Sequence, residues 1–417
     1  MKRNRVLLVY FSIVQKVVFF GLGIILLPIL LVVGLIRPVK IGRLPCERFG
    51  HLAKNNDLFF RRFDISTLPS ATYVLFCPRK GDHRISNEFL LQMFIKVSKT
   101  RNRIHVIRSS FLYSGWKLLK AIFHKFEIWY DLTYFTVESE FSTSKPILRL
   151  TKDERSFART TLLDFNLDPN KPLVCVFVRD SAYLNEVEQR RNVNRSYHNF
   201  RNANIKNYEL AINWLIDSGF QVIRIGGLVE RSVEINRQGF FDYAFSEYRT
   251  AKLDVCLIGI SEFVLGTASG PTDVATVLGV PHLATDYAPF HLVPLGANDM
   301  YLPKKIYDIK TGEMIPFVKY FNSFSKTKKL TEVLSVITDG NLWNEHQVGF
   351  CDNTSDEILS AVKEMINRLK GTLDLSEEER DLHFRYFELY WSKNPLCPPK
   401  TPIGTEFLKK NSELFFV

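Results

Sequence analysis

The 417-residue sequence is notable first for the motifs it lacks. It has no Gly-x4-Gly-Lys-Ser/Thr, no His-Glu-x-x-His and no Gly-x-Ser-x-Gly. That removes the P-loop NTPases, the helix-borne zinc proteases and the nucleophile-elbow hydrolases. No Asp-x-Asp follows an apolar strand, so the usual carboxylate anchor for a metal-bound nucleotide is missing. None of the six cysteines lies in a Cys-x-x-Cys pair. Cys77, Cys175 and Cys256 sit inside apolar runs, as small buried hydrophobes of a reducing compartment do, and not as a disulfide framework or a metal site. Internal repeats and low-complexity tracts are absent as well. The net charge of +11 comes with no basic helix and no aromatic RNA-binding motif, which argues against a nucleic-acid partner.

What is present begins with charge and hydrophobicity. Residues 1–48 hold eight Lys/Arg against Glu47 alone, so +7 of the +11 lies there. This excess flanks an uncharged run of 20 residues, Val17–Ile36, long enough to cross a bilayer. Anionic lipid headgroups would attract the flanks. The run is too long for a signal peptide, and LIRPVKIG is no small-residue cleavage site, so the segment is expected to stay attached. Lys2, Arg3, Arg5 and Lys16 lie before it, and Arg37, Lys40 and Arg43 after it. That near balance, with Pro28 in the middle, fits a single span or a re-entrant hairpin. The sequons at Asn194 and Asn353 would fit a translocated orientation.

Beyond Pro38 short apolar runs alternate with helical ones, the pattern of βα units and a parallel sheet. Strands are expected over 39–41, 71–77, 103–107 and 134–137, and helices over 51–61, 86–97 and 115–126. Residues 164–171 read as a linker. A second series follows, with strands at 173–178, 221–225, 262–265 and 282–285 and helices at 207–218, 251–259, 271–278 and 355–369. The expected division is therefore 1–38 for attachment, 39–168 and 169–372 for two α/β domains, and 373–417 for a helical tail.

The most informative stretch is FVLGTASGPTDVATVLGVP (263–281). A buried strand runs into small residues, and a helix starts near Pro271, where proline's missing N–H costs nothing. The free N–H groups and positive dipole of a helix N-terminus suit a diphosphate. Thr267, Ser269 and Gly270 would line that approach, and Asp273 could reach a ribose. Arg179-Asp180 follows the first strand of the second series, where ligands of such sheets bind. Arg179 would pair with a phosphate, and Asp180 would hold Arg179 or Arg201. Arg224 ends the next strand ahead of Gly226, and Lys304 offers a further phosphate charge.

These residues carry a resemblance. The spacing S-G-P-T-D-V-A-T-V-L-G-V-P resembles the donor loop of bacterial heptosyltransferases. The chain beyond about Ile36 resembles bacterial surface-carbohydrate glycosyltransferases with an R-D-S-x-Y motif, through R-F-G-H-L (48–52), R-D-S-A-Y (179–183), F-R-N-A-N-I-K-N-Y (200–208), V-I-R-I-G (222–226), G-T-A-S-G (266–270), L-P-K-K (302–305) and N-T-S-D-E-I (353–358). The resemblance implies a GT-B fold, two Rossmann-like domains facing a cleft. It adds Tyr183 to the donor residues. It implies transfer of a sugar from a nucleotide-sugar co-substrate to a glycan or lipid-linked acceptor, with no other cofactor and no metal. A base must then take the acceptor proton, and His51 in the first loop is the candidate, with Asp82 and its neighbour His83 as alternatives. The implied place is the cytoplasmic face of a bacterial inner membrane, among membrane lipids. Two other readings stay open: a sugar-nucleotide epimerase or hydrolase of the same fold, and a non-catalytic membrane-bound assembly protein.

Overall fold

The computed structural model describes residues 2–132, 140–182, 196–288, 293–319, 347–390 and 401–416. The chain divides into two compact units, Met1–Tyr134 and Phe135–Val417. The division falls ahead of the 168/169 boundary expected from the linker. The strand expected at 134–137 lies outside the described residues.

Unit 1 opens with α1 (Lys2–Ile36), which contains the apolar run. Three parallel strands follow in the order β1-β2-β3: β1 (Val39–Arg43), β2 (Thr72–Cys77) and β3 (Ile104–Arg108). Helices α2 (Phe49–Asp64) and α3 (Glu88–Ser98) connect them. Asn87 fixes the start of α3, its side chain accepting from the Leu90 amide at 2.8 Å. Helix α2 is buried continuously from Leu52 to Arg61, polar residues included. Its polar side chains are therefore tied inward: Asn55 Nδ2 donates to the Leu132 carbonyl at 2.7 Å, and Asp57 pairs with Arg61. Burial, with a smaller push from Asp64, brings the Asp57 carboxyl up to about 6 against the pull of Arg61.

The helix expected over 115–126 is present as α5 (Trp116–Phe123) and a 3₁₀ turn at His124–Phe126, preceded by a short α4 (Ser110–Ser114). Gly115 separates α4 from α5, and a Cβ there would collide with the Phe19 ring of α1. Phe19 is wholly buried there, a burial worth roughly 1.5–3 kcal/mol.

Unit 2 carries α6 (Glu140–Thr143) and α7 (Lys152–Asp164), the latter with a capping box between Thr151 and Glu154. Its sheet is built from β4 (Leu173–Phe177), β5 (Gln221–Arg224), β6 (Phe240–Phe241), β7 (Phe263–Gly266), β8 (His282–Tyr287) and β9 (Met300–Pro303). All pairings are parallel, and the spatial order is β6-β5-β4-β7-β8-β9. Helices α8 (Glu209–Asp217), α9 (Ala251–Ile260) and α10 (Gly270–Leu278) make the crossovers. Strands β10 (Lys305–Asp308) and β11 (Val348–Cys351) form an antiparallel pair. The chain then runs through α11 (Ser355–Lys370), α12 (Glu377–Tyr390), α13 (Thr405–Lys410) and α14 (Ser412–Phe415). These C-terminal helices are no detached tail. Tyr386, Tyr390, Phe407 and Phe415 belong to the same buried cluster as Val174, Leu265 and Leu283 of the sheet.

Strands β4 and β7 are buried at every residue, because helices cover both faces of a parallel sheet. Cys46, Cys77, Cys175 and Cys256 are buried free thiols and Cys351 a half-buried one. Cys397 lies outside the described residues.

Candidate functional site

The strand order places the site of unit 2. The chain starts in the middle with β4 and moves outward through β5 to β6. It then returns to the other flank of β4 with β7 and moves outward again. The loops after β4 and β7 thus leave in opposite directions, opening a crevice at the carboxyl edge of the sheet. The loop after β4 carries Arg179 and Asp180, and the loop after β7 carries 267–270. The two motifs singled out in the sequence, 87 or more residues apart, therefore meet at the switch point. They are bonded there: the Arg179 amide donates to Thr267 Oγ1 at 2.9 Å, and the Thr267 amide donates to the Phe177 carbonyl at 3.0 Å.

This geometry revises the roles expected of the small residues. Gly266 has φ +144°, and a Cβ on it would collide with the Phe177 carbonyl oxygen. Here glycine admits the neighbouring strand and not a ligand. Thr267 is wholly buried, and its hydroxyl serves the Arg179 amide. Ser269 is the N-cap residue of α10: its amide donates to Thr272 Oγ1 at 3.0 Å, and that hydroxyl donates back to the Ser269 carbonyl at 2.8 Å. Ser269, Gly270 and Asp273 are half-buried at the helix N-terminus.

Arg179 is 9% exposed. Burial, then the nearby Arg201 cation, bring its guanidinium down to about 9, with Asp180 opposing. It stays charged at neutral pH, in a place where two cations are crowded and partly desolvated.

Asp180 is engaged with two backbone amides. Its Oδ1 accepts from the Ala182 amide at 3.1 Å and its Oδ2 from the Glu230 amide at 2.9 Å, which pins the loop after β5. Ser181 donates to the Glu230 carboxylate. Beside them is a pocket of about 330 Å³ lined by Asp180, Ser181, Asn202, Arg224, Glu230 and Asp352 among others. The lining holds three carboxylates, which accept hydrogen bonds only and suit hydroxyl-bearing ligands. The Asn202 Oδ1 and Arg224 Nε atoms are buried without a hydrogen-bond partner among the described residues.

Two expected phosphate ligands already have partners within unit 2. Arg224 is 1% exposed, donating to the Arg231 carbonyl at 2.7 Å and to Asp242 Oδ2 at 3.2 Å. Lys304 is buried too, donating at 2.6 Å to both the Asn202 carbonyl and Asp352 Oδ1. Gly226 is crowded by its own unit, since a Cβ would lie 3.1 Å from Val229 and 3.2 Å from Ala244. Tyr183 lies outside the described residues.

No family model matches the chain, and no curated protein matches it. Among solved structures it is similar to the glycosyl transferase family 9 protein of Veillonella parvula DSM 2008, at TM-score 0.43 and 8% identity, over 79% of this chain and 97% of that one. It is also similar to the E. coli ADP-heptose LPS heptosyltransferase II, at TM-score 0.36 and 15% identity, over 63% and 90%. A third is the dodecameric iron-containing heptosyltransferase TibC in complex with ADP-D-beta-D-heptose, at TM-score 0.37 and 13% identity, over 80% and 77%. All three neighbours are glycosyltransferases by name. Likenesses this loose decide neither fold nor activity for this chain.

Sequence reasoning missed the polar clamp behind the pocket. Asp286, at φ +51°, and Asn353 exchange bonds: each amide donates to the other's side-chain oxygen at 2.6 Å. Tyr208 donates to Asp286 Oδ2 at 2.6 Å. Burial pushes the Asp286 carboxyl up to about 6, with Lys304 opposing. The positive φ, tolerated by Asp through local hydrogen bonds, leaves no mark in the sequence. Asn353 is wholly buried with Nδ2 donating to the Pro303 carbonyl at 3.0 Å, so its sequon cannot carry a glycan in this fold.

In unit 1, His51 is exposed in the first turn of α2, just past the carboxyl end of β1. Asp82 sits in a fork with Arg84, at 2.9 and 2.6 Å, and accepts from Ser110 Oγ at 2.5 Å. Arg84 and Ser110 hold its carboxyl well below the usual carboxylate range, which leaves it a weak base at neutral pH. His83 points into solvent, 93% exposed. Arg43, the last residue of β1, was overlooked: it donates to the Tyr113 hydroxyl at 2.7 Å, pairs with Glu47 and lies 4.1 Å over the Trp116 ring. The rule that singled out Arg179, a cation at a strand's carboxyl end, would have found it. Among the described residues no three His, Cys, Asp or Glu side chains group as a metal site.

Proposed function

We propose that this protein is a membrane-attached glycosyltransferase that uses a nucleotide-activated sugar. The observation that carries the reading is the buried Arg179, crowded by Arg201 and bonded to Thr267 at the β4/β7 switch point beside the N-terminus of α10. A diphosphate suits the guanidinium and the 269–273 turn at the helix N-terminus as its partners. The carboxylate-rich pocket next to Arg179 takes the hydroxyls of ribose or sugar. Charge on the leaving diphosphate is then balanced by protein cations and a helix dipole, and the proposed reaction needs no metal ion.

The acceptor is a lipid-linked or surface-polysaccharide glycan. His51, exposed at the end of β1, takes the proton from its hydroxyl, which fits an inverting displacement; the ion-paired Asp82 is a poor substitute. Helix α1 holds the enzyme on the cytoplasmic face of a bacterial inner membrane. The buried Asn353 supports that side, since one of the two sequons that favoured translocation cannot be used.

The test is calorimetric titration of the solubilised chain with ADP-, GDP-, UDP-, dTDP- and CMP-sugars. One nucleotide class should bind, and Arg179→Ala should weaken it at least tenfold, because charge-assisted bonds are worth about 1.5–3 kcal/mol. Binding by no nucleotide sugar, or equal binding by the variant, defeats the proposal.

A further inference from the structure

Helix α1 does not leave unit 1 as a loose tether. Its Phe19 is wholly buried and stacks on Phe111 of α4, ring centres 4.5 Å apart. A Cβ on Gly23 would collide with Ile122 of α5, and one on Gly115 with Phe19. Two glycines, one on each side, thus let the apolar helix and the α4–α5 pair approach closely, as small residues do between membrane helices. The other faces of α1 are bare: Val17, Phe20, Ile25, Ile29, Val32 and Ile36 are all exposed.

The surface that receives α1 continues its character. Phe111 is 51% exposed and Phe126 45% exposed, and Lys117 and Lys125 of the same segment are exposed too. Between Glu88 and Glu127 the sequence has eight Lys/Arg and no acidic residue. Exposed aromatics interleaved with lysines are the composition of a segment that lies in the headgroup region of an anionic bilayer.

We propose that residues 110–126 form a membrane-interface surface, docked on α1, that binds anionic phospholipid through Phe111, Phe126, Lys117 and Lys125. The occupant is lipid because the patch is continuous with the bare apolar side of α1, and because its charge has one sign. Lys120 plays a different part, paired with Asp131. The consequence is a fixed posture. β3 ends at Arg108 immediately before α4, so contact at 110–126 sets the carboxyl edge of the unit 1 sheet near the headgroups.

This inference rests on α1 being a membrane helix, and the experiment separates the two. The full-length chain is placed in nanodiscs of phosphatidylcholine with or without one-third phosphatidylglycerol, the phosphatidylcholine brominated on its acyl chains. A bimane label is attached at Phe126→Cys, or at Phe384→Cys on an exposed face of unit 2. Co-elution with the nanodisc tests α1. The label at 126 should be quenched at least twofold more than at 384, more so with phosphatidylglycerol, and Lys117→Glu with Lys125→Glu should remove that increment. Hydrogen exchange of the unlabelled chain gives a reading without substitution: peptides from 110–126 should exchange more slowly in the anionic nanodisc than in the zwitterionic one. Co-elution with equal quenching at 126 and 384, or exchange that ignores the lipid charge, overturns the interface while leaving α1 in place.

Discussion

Thr267 offers the sharpest discrimination between a structural and a ligand-binding hydroxyl. Valine has nearly the same shape and the same β-branching, so Thr267→Val removes the oxygen and little else. The Arg179 amide is then buried with its acceptor gone. An unsatisfied buried donor costs ~1–3 kcal/mol. For a chain of this size that lowers the melting temperature by roughly 2–8 °C. Thr267→Ser is the control, keeping the acceptor and losing one methyl. Melting followed by near-ultraviolet circular dichroism should rank wild type first, Ser close behind and Val last. Nucleotide-sugar affinity should fall in the valine variant too, because the backbone of Arg179 is freed. A valine variant with an unchanged melting temperature and weakened binding would refute the reasoning and return the hydroxyl to the ligand.

Three further outcomes are expected. His51→Ala should cut turnover by about 10²-fold or more while donor affinity stays within twofold, as loss of a general base does; near-normal turnover removes His51 from the mechanism. Lys304→Met should destabilise by ~2–4 kcal/mol, below the full cost of breaking a buried pair because Asp352 keeps some solvent, and adding Asp352→Asn should restore most of it in a denaturant titration. Asp286 binds its proton more tightly folded than unfolded, about 6 against an ordinary 3.8, so its contribution to stability is greatest at low pH and declines as pH rises between those values. The stability of wild type relative to Asp286→Asn, measured by thermal melting from pH 3.5 to 7, should therefore fall across that window and be flat above it.

The sequence pattern conveyed the architecture well because βα units are local. Apolar runs at 71–77, 173–178 and 282–285 are strands, and the loop at 266–270 does join a buried strand to a helix. What it could not convey was partnership across distance. Arg224 and Lys304 have the residue type and strand-end position of ligand contacts, yet Asp242 and Asp352 already claim them. The acidic partners lie 18 and 48 residues away, and nothing local announces them. Helix α7 was passed over although Thr151 and Glu154 form a legible capping box; its charged sequence hides a narrow apolar stripe of Ala158 and Leu162. The close approach of Gly115 to the Phe19 ring is silent in the local sequence too, since that ring comes from α1.

The mutual grip of Asp286 and Asn353 has a consequence for how the chain can change. It closes a loop of 67 residues at the end of β8, with both ends fixed by paired backbone bonds. Lengthening a loop whose ends are already held costs only about 0.6 kcal/mol per doubling. The exposed turn at 309–313, inside that loop, is thus a place where new sequence can be added while the sheet carrying Arg179 and α10 keeps its geometry. Growth of the chain can thus be confined to its surface.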